Sequence, residues 1–136
     1  MLEKMTPIHI LGFLYLRFIH ATDEGMSADE VVKAVDLLHK WIPDARREQI
    51  AGVLSEVGEW HNSLPDEAAR DDAVIKAVEI LRDGRDGAGG MSEKQRNAVV
   101  IHLIQLAYSD GKVTEKEERF INQVKEILGI DSGAAS

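Results

Sequence analysis

The sequence predicts an all-α protein, a bundle of six to seven short helices with a pseudo-twofold internal repeat. Apolar residues recur at helical spacing, helix-start signals precede several apolar stretches, and one acidic motif occurs twice. No stretch is convincingly typical of a strand. The 136 residues fit a single domain, which we expect over residues 1–130, followed by a disordered polar tail at 131–136.

The first two predicted helices have clear boundaries. Thr6 and Pro7 place a hydroxyl cap before a first-turn proline, and the helix they open extends to about residue 21. This helix is apolar on most sides, so we expect it at the centre of the bundle. Ser27-x-x-Glu30 is a capping box for a second helix, which Pro43 ends.

Two longer helices are predicted at 44–62 and 66–82, separated by a Leu-Pro-Asp break at 64–66. Trp41 and Trp60 lie on apolar helix faces and are expected in the core. The glycine-rich segment 84–90 is the strongest breaker in the chain and is expected to be a flexible connector.

The fifth helix is predicted at 93–109, with Ser92 as its cap. The sixth helix is predicted to begin after Thr114. Thr114-x-x-Glu117 is a second capping box. Gly129 is a typical residue to end the sixth helix.

Composition excludes several classes of function. The chain has 16 Lys and Arg against 24 Asp and Glu, a net charge of −8, which argues against nucleic acid or an anionic membrane as a partner. It suits a cation or a basic patch on a protein partner. The absence of cysteine excludes disulfides and thiolate chemistry. With no bilayer-spanning run and no convincing signal peptide, we expect a cytoplasmic protein without membrane insertion.

The repeated motif is the most informative feature of the chain. Its copies are residues 23–30 (Asp-Glu-Gly-Met-Ser-Ala-Asp-Glu) and 110–117 (Asp-Gly-Lys-Val-Thr-Glu-Lys-Glu). Each copy joins two apolar helical stretches through an acidic turn. The register of the first copy is open, because either Asp23 or Glu24 can be the counterpart of Asp110.

Residues 107–117 match the pattern Ala-x-x-Asp-Gly-x-(Val/Ile)-(Ser/Thr)-x-x-Glu, and residues 127–129 match the usual Ile-Leu-Gly ending. The chain thereby resembles the tellurite-resistance TerB family and its wider superfamily, which includes the N-terminal domain of DjlA-type co-chaperones. The resemblance implies about seven helices with pseudo-twofold symmetry and an acidic surface proposed to bind metal. Two departures are His20, where the second copy has Ala107, and a long glycine-rich loop.

The acidic turns have two interpretations. Ser27 and Thr114 with their glutamates could serve only as capping boxes that satisfy backbone donors and complement helix dipoles. Alternatively, carboxylates from both turns could hold a divalent cation, for which oxygen ligands suit Ca²⁺, Mg²⁺ or Mn²⁺. The candidate metal ligands are Asp23, Glu30, Asp110 and Glu117, with His20 and Glu24 as additional candidates.

His20 would shift the preference towards Zn²⁺. Neither turn is an EF-hand, since the twelfth positions are Ala34 and Ile121 instead of glutamate. The remaining histidines have no metal-binding spacing and are expected on the surface or as hydrogen-bonded core residues. They are His9, His39, His61 and His102.

The sequence therefore predicts a non-enzymatic stress-response domain that binds a divalent cation through its two acidic motifs and has an unidentified protein partner. One alternative is an acidic protein-interaction module without metal. A remote alternative is a metal-assisted hydrolase using paired carboxylates. We expect no catalytic residues, no organic cofactor and no nucleic-acid partner.

Overall fold

The computed structural model describes residues 6–22, 28–85, 88–108 and 113–130. Six helices lie within these ranges: α1 (Pro7–Thr22), α2 (Ala28–Trp41), α3 (Arg47–Ser63), α4 (Glu67–Asp83), α5 (Glu93–Ala107) and α6 (Glu115–Leu128). The predicted all-α class is confirmed. The predicted internal repeat and the tail at 131–136 stay predictions, the latter lying outside the described residues.

Helix α1 is the centre of the bundle, as its all-round apolar sequence predicts. It contacts each of the other five helices. Its buried apolar residues come from every side of the helix: Ile10, Leu11, Phe13, Leu14, Tyr15, Leu16, Phe18 and Ile19. A helix surrounded by others has no solvent face, which is why it shows no polar stripe.

Side-chain caps fix several helix starts. Asp66 accepts a hydrogen bond from the Ala69 backbone N–H at 2.8 Å, so it precedes α4 as its cap instead of being the first helical residue. Ser92 and Gln95 form a reciprocal capping box at the start of α5. Helix α3 begins at Arg47, three residues later than predicted, because residues 42–45 after α2 form a turn.

The connection between α4 and α5 contains a minimal antiparallel ribbon, β1 (Gly84–Arg85) paired with β2 (Ala88–Gly89). Gly84 enters it with φ 78°, a value that favours glycine. Beyond the ribbon the Met91 N–H donates to the Leu81 carbonyl at 2.8 Å. The described part of this segment is therefore paired backbone, where the sequence predicts a flexible connector.

Two arginine side chains donate hydrogen bonds to backbone carbonyls at the C-terminal ends of α4 and α6. Arg96 donates to the carbonyls of Arg82 at 3.1 Å and Leu128 at 3.2 Å. Arg82 donates to the Ile127 carbonyl at 3.1 Å. Carbonyls at helix ends lack intrahelical donors, and cations there also complement the helix dipole.

Candidate functional site

A complete capping box follows the second acidic turn, at the start of α6. Thr114 Oγ1 accepts from the Glu117 N–H at 3.2 Å, and Glu117 Oε1 accepts from the Thr114 N–H at 2.8 Å. Glu117 is 4% exposed, although it is charged. The capping role predicted for this pair is confirmed, and it gives the Glu117 side chain a structural hydrogen-bonding role.

We expect Thr114→Ala to lower the free energy of unfolding by about 1 kcal/mol, because the Glu117 N–H loses its acceptor. Glu117→Gln should change stability by a few tenths of that value, since Gln95 fills the same position in the α5 box. Urea denaturation of both variants measures the difference. Equal losses in the two variants would contradict a cap that depends on hydrogen bonding and not on charge.

The first acidic turn is flanked by His20 in α1 and Glu30 in α2. The His20 ring stacks on that of His61, with centroids 4.7 Å apart and planes at 25°. Burial lowers the pKa of His20, and the charges of Arg17 and Arg70 lower it further, against the opposing effect of carboxylates that include Glu30. His20 is therefore a neutral imidazole at pH 7, the form that can bind a metal.

A buried arginine lies beside this histidine pair. Arg17 is 2% exposed and donates to Glu67 and, at 2.9 Å, to Asp71, while its Nη1 lies 3.5 Å from Nε2 of His61. Burial is also the main cause that lowers the pKa of His61. Sequence reasoning missed this cluster. Its signals were a lone arginine inside an apolar helix and two acidic residues four positions apart in α4.

The flanks of the two turns meet through an aromatic contact. Phe18, near the end of α1, and Phe120, in the second turn of α6, have ring centroids 5.2 Å apart at 73°. The end of α1 precedes the first acidic turn, and the beginning of α6 follows the second. The end of α1, before the first turn, is thus in contact with the beginning of α6, after the second turn.

The structure describes only part of the predicted ligand set. Asp23, Glu24 and Asp110 lie outside the described residues. Of the remaining candidates, Glu117 is in the capping box, Glu30 is half-buried, and His20 stacks on His61. Within the described ranges, no three His, Asp or Glu residues form a group that could hold a metal.

A second polar cluster, also missed from the sequence, lies in the core. The Tyr15 hydroxyl is 2.7 Å from Nδ1 of His102, and Trp41 Nε1 donates to the same hydroxyl at 2.9 Å. Because the indole N–H can only donate, the Tyr15 hydroxyl accepts from it and donates to His102. Burial lowers the pKa of His102 to about 4, which matches its acceptor role. The cluster joins α1, α2 and α5 and confirms the expectation of a hydrogen-bonded core histidine.

These features define a class of protein: a helical domain with a central apolar helix, in which short acidic segments of sequence connect α1 to α2 and α5 to α6. The family model of the tellurite resistance protein TerB matches residues 15–136. The chain belongs to this family, and the resemblance drawn from the second acidic motif is confirmed. No curated protein sequence and no solved structure matched the chain. None of the described helices is long and apolar enough to cross a membrane.

Proposed function

We propose that this chain is a non-enzymatic tellurite-resistance-type domain that binds a divalent cation between its two acidic turns. The supporting observation is the contact between Phe18 and Phe120, which joins the end of α1, before the first turn, to the beginning of α6, after the second. The proposed ligands are the carboxylates of Asp110 and Glu117 and of Glu30 with Asp23 or Glu24. The absence of cysteine fits a sensing or scaffolding role in a stress response better than direct reduction of tellurite.

The donor chemistry fits this proposal. Carboxylate oxygens suit Ca²⁺, Mg²⁺ and Mn²⁺. Only Oε1 of Glu117 takes part in the capping bond with Thr114, so the proposal assigns Oε2 to the cation. The neutral state of His20 suits a nitrogen ligand, which would favour Zn²⁺ if the imidazole turns from His61 towards Glu30.

Glu117→Gln separates cation binding from capping. The amide keeps an oxygen for the Thr114 N–H but removes the charge, so we expect at least a tenfold loss of cation affinity with little loss of stability. Asp110→Asn should have the same effect. The measurement is isothermal titration calorimetry of metal-free protein with Ca²⁺, Mg²⁺, Mn²⁺ and Zn²⁺ in turn.

Glu118→Gln is the matched control, because Glu118 is exposed in the same first turn of α6 and its loss changes the net charge equally. Affinity that falls alike in Glu118→Gln and Glu117→Gln would indicate a diffuse charge effect. No saturable binding by the folded wild-type protein would contradict the cation site itself.

The second candidate function is an acidic interaction module without metal. It is favoured by the capping box, which gives the Glu117 side chain a hydrogen-bonding role that needs no cation. In that case Asp23→Asn combined with Asp110→Asn should weaken binding to a basic protein partner and leave any cation response unchanged. No observation on the described residues favours the hydrolase.

A further inference from the structure

Helix α5 carries apolar residues on the face that the bundle leaves exposed. Ile101 is 51% exposed and Tyr108 59%, whereas Val99, Val100 and Leu103 on the opposite face are buried. With the exposed Lys94 and Asn97 and the half-buried Ala98, Ile104 and Gln105 along its edges, the two residues form a stripe at the three- and four-residue spacing of a helix–helix seam. We call this set the α5 stripe.

The α5 stripe is self-complementary about Ile101. Lys94 and Tyr108 lie seven residues before and after it, Asn97 and Gln105 four, and Ala98 and Ile104 three. An antiparallel copy of the helix, related by a twofold axis at Ile101, would therefore set each residue of a pair against the other.

Each of these pairings is chemically favourable. An ammonium group meets an aromatic ring, two amides can exchange hydrogen bonds, and a small side chain meets a large one.

The outer surface of α5 is open and shallow where it is formed by Glu93, Lys94, Asn97, Ala98 and Ile101, so a second helix can lie along it. In the antiparallel arrangement, this surface faces Ile104 and Tyr108 of the second copy. From Asn97 to Tyr108 the α5 stripe contains no charged residue, so the repulsion expected from a net charge of −8 is smallest there.

We propose that this protein forms a twofold-symmetric dimer through the α5 stripe. At about 100 µM, light scattering after size exclusion should give twice the 15.1 kDa chain mass and fall towards one chain on dilution. Ile101→Glu should give the single-chain mass throughout, because its carboxylate would meet its own copy. Ala51→Glu, on the exposed face of α3, adds the same charge elsewhere and should remain dimeric.

The twofold arrangement has its own test. Ile101→Lys should also be monomeric alone, but mixed with Ile101→Glu it should restore the dimer, because residue 101 faces only residue 101. A wild-type monomer at every concentration would overturn the proposal and leave the α5 stripe for a different protein. A dimer unaffected by Ile101→Glu, or variants that fail to pair when mixed, would overturn it equally.

Discussion

Gly90→Ala is expected to lower the free energy of unfolding by about 3 kcal/mol or more. A Cβ atom at this position would lie 1.8 Å from the Arg82 carbonyl oxygen, 2.5 Å from its carbon and 2.9 Å from the carbonyl carbon of Asp83. All three are backbone atoms, so no side chain can move aside. Relief requires the α4–α5 connection to shift, which disrupts the hydrogen bonds of Met91 and Arg96 to the end of α4.

Urea denaturation followed by circular dichroism measures this loss. Gly52→Ala is the matched control, because Gly52 is an exposed residue inside α3 with nothing within 4 Å of the added Cβ. It should stabilise the protein by about 0.5 to 1 kcal/mol, the usual difference between alanine and glycine in a helix. A urea midpoint for Gly90→Ala equal to that of the wild type would show that Gly90 does not pack tightly against the backbone at the end of α4.

The second large effect is the loss of stability in acid. The pKa of His102 is lowered in the folded protein from its ordinary value of 6.5 to about 4, chiefly by burial. As the pH falls, the unfolded chain takes up this proton first. The stabilising contribution is therefore complete above pH 6.5 and is lost as the pH falls towards 4, by an amount on the order of 3 kcal/mol.

The lowered pKa values of His20 and His61, also caused mainly by burial, act in the same direction. The test compares free energies of unfolding at several pH values between 7 and about 4. His102→Asn keeps an oxygen near the position of Nδ1 to accept from Tyr15, but it does not titrate. It should show a distinctly shallower decline than wild type. Parallel declines in the two proteins would mean that His102 does not carry the effect.

The sequence predicted those parts of the structure that depend on local chemistry. Thr114 and Ser92 mark helix starts because a hydroxyl satisfies backbone donors within three residues, whatever the rest of the fold does. The central place of α1 followed from its all-round apolar surface, since such a helix must be covered on every side. The second acidic motif led to the family for the same reason, because its residues are contiguous.

The polar contacts of the buried residues Arg17 and Tyr15 could be identified only from the tertiary structure. The contacts of Arg17 with α4 span 50 and 54 residues, and that of Tyr15 with His102 spans 87. No local spacing relates such partners, so sequence reasoning could only class His61 and His102 as surface or core residues. Glu117 shows the same division within one residue: its capping bond follows from the sequence, whereas its burial follows from packing.

By itself, then, the sequence determined the six described helices, the caps Ser92 and Thr114, the absence of thiol chemistry and the family, because each depends on composition or on residues within a few turns of one another. Only the tertiary structure decided that His20 stacks on His61, that Gly90 lies against the end of α4, and that the outer face of α5 stays exposed. The reason is physical: local hydrogen bonds and periodicity are set by near neighbours, whereas burial, pKa values and close backbone approach are set by residues brought together from distant parts of the chain.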